Sequence, residues 1–107
     1  MPGTKLVVIY PRPTDVETFE KAYSEDHVPL AMKMPGMTKF VATKVLGTPD
    51  GQSAPFCRIA ELHFPSLEVL QAAAASAAAQ EAIAHAVSIS SGGTPIFVVA
   101  EEETTTL

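Results

Sequence analysis

Four runs with β character and two with helical character follow one another in the order β-α-β-β-α-β, and that order leaves few folds open. Residues 5–10, Lys-Leu-Val-Val-Ile-Tyr, form a β-branched run without polar alternation, the pattern of a central strand covered on both faces. Pro11-Arg12-Pro13 ends it, because neither proline donates to a ladder. Thr14-Asp15-Val16-Glu17 fits a capping box, with the Thr14 hydroxyl as cap. Val16, Phe19, Tyr23 and His27 then recur three and four residues apart, on one face of a helix. Pro29 marks the end of the regular helix, and Pro35-Gly36 stops the turn after it.

Residues 37–47 hold a second strand and residues 54–64 a third. The Pro49-Asp50-Gly51 turn between them predicts an antiparallel hairpin. Arg58, Ala60, Leu62 and Phe64 share one face of the third strand, and Cys57, Ile59, Glu61 and His63 the other. Ser66 is an N-cap, and ten alanines among residues 72–86 make the second helix the strongest helical segment of the chain. Ser76 is placed to cap a second segment and break that rod in two. Gly92-Gly93 excludes helix before the last strand at residues 96–99, and the acidic end from Glu101 is expected to fray.

With right-handed crossovers this order gives an α+β, ferredoxin-like βαββαβ fold: a four-stranded antiparallel sheet with both helices on one face. The opposite face is then bare. An apolar face of four strands is a larger patch than a soluble monomer carries, so a second copy packed sheet against sheet is expected. At 107 residues and 11.3 kDa the chain is read as a single domain, residues 1–107, without linker or repeat. A net charge of −5 argues against nucleic acid and anionic membrane surfaces as partners. No run approaches a membrane span, one cysteine makes no internal disulfide, and the start Met1-Pro2-Gly3-Thr4-Lys5 lacks a signal-peptide layout, so a cytoplasmic protein is expected.

Tyr23-Ser24-Glu25-Asp26-His27-Val28-Pro29-Leu30, following Phe19 on the first helix, resembles the EthD-type family of the dimeric α+β barrel superfamily. The hairpin segment Phe56-Cys57-Arg58-Ile59-Ala60-Glu61-Leu62-His63-Phe64, then Ser66-Leu67-Glu68, adds to the likeness, which covers about residues 4–101. The resemblance implies a homodimeric barrel and a pocket between helices and sheet. The namesake family is associated with bacterial ethyl tert-butyl ether degradation. Superfamily relatives include muconolactone isomerases, polyketide cyclases or dehydratases, and cofactor-free or haem-degrading oxygenases, so the fold does not select the chemistry. This chain has no tryptophan and no Asn-Trp-His set, which sets it apart from the haem-degrading members.

His27 is the leading candidate. A helix C-terminus favours its imidazolium and burial disfavours it, a balance that suits titration near neutral pH and acid–base work. The plainer alternative is a histidine that packs or caps the helix. Tyr23 offers a phenolic hydrogen bond to a substrate or is simply core, and Tyr10 is a weaker candidate of the same kind. Glu61 and His63 form either an orienting carboxylate–imidazole pair or part of the sheet interface. Arg58 would hold a substrate carboxylate if its face meets the helices, and otherwise serves an interface or solvent. His27, His63 and His85 are too scattered for a metal site, so neither metal nor cofactor is expected. Cys57 reads as a small core residue.

Alanines fill little volume, so the second helix either approaches the sheet closely or leaves an apolar void walled by Phe19, Tyr23, Met32, Met34 and Ile83. Three functions stay open. One is a cofactor-independent proton-transfer enzyme (an isomerase, dehydratase or lyase) acting on a small apolar or aromatic metabolite through His27. The others are a binding or delivery protein accessory to an oxygenase system, and a cofactor-free or haem-dependent monooxygenase.

Overall fold

The structure, a computed structural model, describes residues 3–107. Met1 and Pro2, on which part of the expectation about a signal-peptide layout rests, lie outside the described residues. β1 (Thr4–Pro11) is followed by α1 (Val16–Ala22), a π turn (Tyr23–His27) and α2 (Val28–Ala31). Then come β2 (Lys39–Lys44), β3 (Phe56–Phe64), α3 (Leu67–Ala74), α4 (Ala77–Ile89) and β4 (Ile96–Glu101). The sheet runs β2-β3-β1-β4 with every neighbouring pair antiparallel, so the fold is the expected ferredoxin-like βαββαβ.

Strand parity sets the two faces. Val8 pairs with Ala60 and Phe97, and Leu6 with Leu62, and these residues look toward the helices. Val7, Ile9, Ile59, Ile96 and Val98 share the other face. A register shift between Tyr10 and Pro11 pairs Pro11 with Phe56. It lets Cys57 join the buried cluster around Tyr10, although strict alternation assigned it to the far face.

Three local readings change. Asp15, not Thr14, caps α1: its carboxylate accepts from the Thr18 amide, while the Thr14 amide donates to Ser91 Oγ. Both oxygens were available, and tying Thr14 to the loop before β4 leaves the cap to its neighbour. Pro29 does not end the helix. The Val28 amide reaches back to the Tyr23 carbonyl, and the wider π turn resets the ladder so that Pro29 falls in the first turn of α2, where a missing N–H costs nothing. The last strand runs on to Glu101, and the Glu102 amide donates to the Gly3 carbonyl, so the acidic end is ordered further than composition suggests. Ser76 does break the alanine rod, accepting from the Ala79 amide as N-cap of α4.

No helix among the described residues is long and apolar enough to cross a membrane.

Candidate functional site

The π turn places its residues for stacking. Phe19 and Tyr23 stack at 5.7 Å, Tyr23 and His27 at 5.7 Å, and His27 and His85 of α4 at 5.3 Å with ring planes 9° apart. Tyr10 of β1 stands edge-on to Phe19, Tyr23 and His27. Parity brings it there: Tyr10 follows Thr4, Leu6 and Val8 on the inward face of β1.

His27 is 5% exposed and both its ring nitrogens are engaged. Nε2 lies 3.0 Å from the Tyr10 hydroxyl, and Nδ1 lies 3.1 Å from Nδ1 of His85. Tyr10 is fully buried, whereas His85 is partly exposed. A hydrogen-bonded row Tyr10–His27–His85 therefore runs from the sheet interior to the surface of α4. Burial, and secondarily the neighbouring His85, push the His27 pKa down to about 4. The expectation of titration near neutral pH is corrected by that desolvation: His27 is a neutral imidazole at physiological pH. Burial also raises the Tyr10 phenol well above its ordinary value, keeping it protonated.

The inner end of this row meets a cavity of about 20 Å³ between sheet and helices, walled by Tyr10, His27, Met34, Ile83, Ala86 and Phe97. That is room for about one water. The alanines Ala82 and Ala86 do border a void, but close approach of α4 keeps it small.

The wall residues expected from sequence divide. His27, Met34 and Ile83 line the cavity. Phe19 and Tyr23 are buried behind His27 instead, because the stack runs away from the void. Met32 is 58% exposed, since it follows α2 on the turn's outer side. The Tyr23 hydroxyl is buried with no hydrogen-bond partner, and burial, partly offset by Arg58, pushes its pKa up to about 12. Tyr23→Phe is expected to be neutral or to stabilise by up to about 1 kcal/mol, because it removes an unsatisfied buried group. A urea midpoint lowered at unchanged m-value would refute this.

Arg58 does face the helices, but its guanidinium is taken up by both Glu20 oxygens, at 2.9 and 3.1 Å, and lies 5.2 Å over the Tyr23 ring. It pins α1 to β3 rather than offering itself to a carboxylate. Glu61 approaches His63 Nε2 at 3.3 Å on the opposite sheet face, where Lys5 takes the better-aligned bond to the same carboxylate at 2.9 Å. No group of three or more metal-ligating side chains comes together among the described residues.

The sequence named Tyr10 only as a weaker candidate and His85 only within a scattered set of histidines, and it did not bring either beside His27. The inward parity of Tyr10 was legible. His85 carried a weaker signal, as the one polar ring next to Ala86 on the alanine helix.

The EthD domain model matches residues 11–87, a span that includes His27 and His85 and begins just after Tyr10. An uncharacterized 11.0 kDa protein from the thcB–thcC intergenic region of Rhodococcus erythropolis is 32% identical over 98 residues, covering 92% of this chain and 94% of that one. An EthD-family crystal structure from Bacillus halodurans superposes with a TM-score of 0.88 at 27% identity, covering 94% of this chain and 99% of that one. A dimeric ferredoxin-like protein of unknown function from Jannaschia sp. shares the fold at TM-score 0.66 and 19% identity, over 94% of this chain and all (100%) of that one.

Proposed function

The chain belongs to the EthD family, and on that footing we propose that it is a cytoplasmic, homodimeric protein of small-molecule metabolism. The proposed unit is the whole span 1–107. In this reading it binds a small, largely apolar metabolite between helices and sheet and transfers a proton with His27, without a cofactor. The supporting observation is the buried row Tyr10–His27–His85, which ends at an otherwise apolar cavity. A neutral buried imidazole held between two hydrogen-bonding partners is equipped to accept a proton and pass it on. A metabolite larger than water needs more room than the resting cavity gives. Met34, unbranched and adaptable, and α4, seated on alanine methyls, are the walls that yield.

Dimerisation is supported by the sheet face turned away from the helices. Ile96 and Val98 are over 40% exposed there, beside Val7, Ile9 and Ile59, and a partner sheet would cover them. The Jannaschia relative of the same fold is described as dimeric.

The test is His27→Gln. Light scattering should show a dimer for both the native chain and the variant. In NMR titrations with a panel of small ketones, lactones and phenols, the native chain should respond at Tyr10 and His27, and the variant, which lacks the imidazole that holds the Tyr10 hydroxyl, should lose at least about tenfold in affinity. Equal affinity in the two, or no response to any member of the panel, would count against the reading.

A further inference from the structure

His27 Nε2 is already occupied by Tyr10, so a proton leaving His27 toward the cavity has to pass through the Tyr10 hydroxyl. We infer that Tyr10 is the group that exchanges a proton with the bound molecule, that His85 is the port to solvent, and that the ligand presents an oxygen acceptor such as a carbonyl or enolate. The inference rests on the reading of the cavity as a ligand site and deepens it.

The direction of each hydrogen bond follows from satisfaction. Tyr10 is fully buried in apolar surroundings, and its hydroxyl has His27 Nε2 as its acceptor. If Nε2 carried the proton, the Tyr10 O–H would have to leave it and turn toward walls made otherwise of apolar side chains. In the resting state Tyr10 therefore donates to Nε2, His27 donates from Nδ1 to His85 Nδ1, and His85 carries its proton on Nε2.

The row has a second complete arrangement. When a ligand proton moves to the Tyr10 oxygen, the phenolic proton passes to His27 Nε2, the Nδ1 proton of His27 passes to His85 Nδ1, and His85 releases its Nε2 proton to solvent. All bonds then point the other way: His85 donates to His27, His27 donates to Tyr10, and the Tyr10 O–H points at the ligand oxygen. Reversal returns a proton to the ligand, and His85 Nε2 reloads from water. One proton enters and one leaves in each direction, and no ring other than His85 becomes charged. Protonating His85 alone also selects the second arrangement, because its Nδ1–H then has to donate to His27.

Few other titratable groups bear on His85. α2 carries none, Glu68 of α3 is exposed, and Glu25 and Asp26 of the π turn are exposed, which leaves His27 and the stacked Tyr23 behind it as the buried ones. On α4 itself Glu81 is exposed.

The test is ¹⁵N-histidine NMR of the full chain between about pH 8 and 5, the interval in which histidines as a class exchange protons. Across that interval His27 should switch from the Nδ1–H to the Nε2–H tautomer while staying neutral, and His85→Phe should abolish the switch. A His27 that keeps one tautomer throughout, or that itself becomes charged within the interval, would overturn the relay. In a second arm cyclohexanone serves as the carbonyl probe. It should bind about tenfold tighter in the low-pH form, and Tyr10→Phe should erase that difference. Binding independent of pH would overturn the role of Tyr10. No binding at any pH alongside an intact tautomer switch would overturn the ligand-site reading and leave the relay standing.

Discussion

Acidification from about pH 7.5 to about pH 4 is expected to remove roughly 3 kcal/mol of folding stability, and His27→Gln to abolish most of that loss. The source is the burial that holds His27 neutral. Its pKa falls from 6.5 to about 4 on folding, and at about 1.36 kcal/mol for each pH unit the difference comes to roughly 3 kcal/mol. Above pH 6.5 both native and unfolded chains hold a neutral imidazole, and the group adds no pH dependence. Between 6.5 and about 4 the unfolded chain takes up a proton that the native chain refuses, so stability falls as pH falls. Below that both are protonated and the loss is complete. Asp15, Asp50 and Glu61 are held below their usual carboxylate range, chiefly by hydrogen bonds to Thr18, Thr48 and Lys5 respectively. Their stabilisation is present above the ordinary carboxylate values and is lost as pH falls through the lowered ones, so it enters only at the acid end of the histidine interval and leaves the span from about pH 7 to 5 to His27. Urea denaturation at fixed protein concentration, pH by pH, separates the two. A native chain with flat stability between about pH 7 and 5 would show that His27 is not desolvated as the fold implies.

That same burial marks the limit of what the sequence discloses. Element order, the hairpin turn and the Ser66 and Ser76 caps were legible because each depends on residues within a few positions of one another. The π turn was not. Pro29 reads locally as a terminator, and only the tertiary position of Tyr23 and His27 against Tyr10 makes a widened turn the better solution. His27 was visible as a candidate from helical spacing, but its partners were not, because Tyr10 is 17 residues away and His85 is 58. Its charge state was misjudged for the same reason: the local helix end favoured a cation, and burial by distant elements overrode it. Arg58 was placed on the right strand face, yet Glu20, which fills its guanidinium fork, is 38 residues away. The alanine helix was compatible with either a void or close contact, and the structure holds both at once, a close contact bordering a void the size of one water.

Gly92→Ala is expected to cost roughly 3–5 kcal/mol, at the upper end for a single substitution, and to loosen the His27–His85 contact as it does so. A Cβ at position 92 would stand 1.8 Å from the Arg12 carbonyl oxygen, 2.7 Å from its carbon and 3.2 Å from Pro13 Cα. All three are backbone atoms, so no side-chain rotation relieves the clash. Nor is the opposing segment free to retreat. Arg12 lies between two prolines with fixed φ and its amide donates to the Pro55 carbonyl at 2.8 Å. The loop on the other side is held by the Thr14 amide on Ser91 Oγ at 3.0 Å. Relief therefore comes from moving the loop that follows α4, and α4 with it, which draws His85 away from His27. Gly51→Ala is the control. With φ at +84° and nothing within 4 Å of its Cβ position, it carries only the left-handed backbone strain of about 1 kcal/mol. Thermal unfolding of the two variants gives the comparison, and the His27 tautomer by NMR shows whether the row has opened. A Gly92→Ala chain as stable as Gly51→Ala would mean that the loop before β4 shifts without cost, and that α4 is not anchored from its C-terminal end as the packing requires.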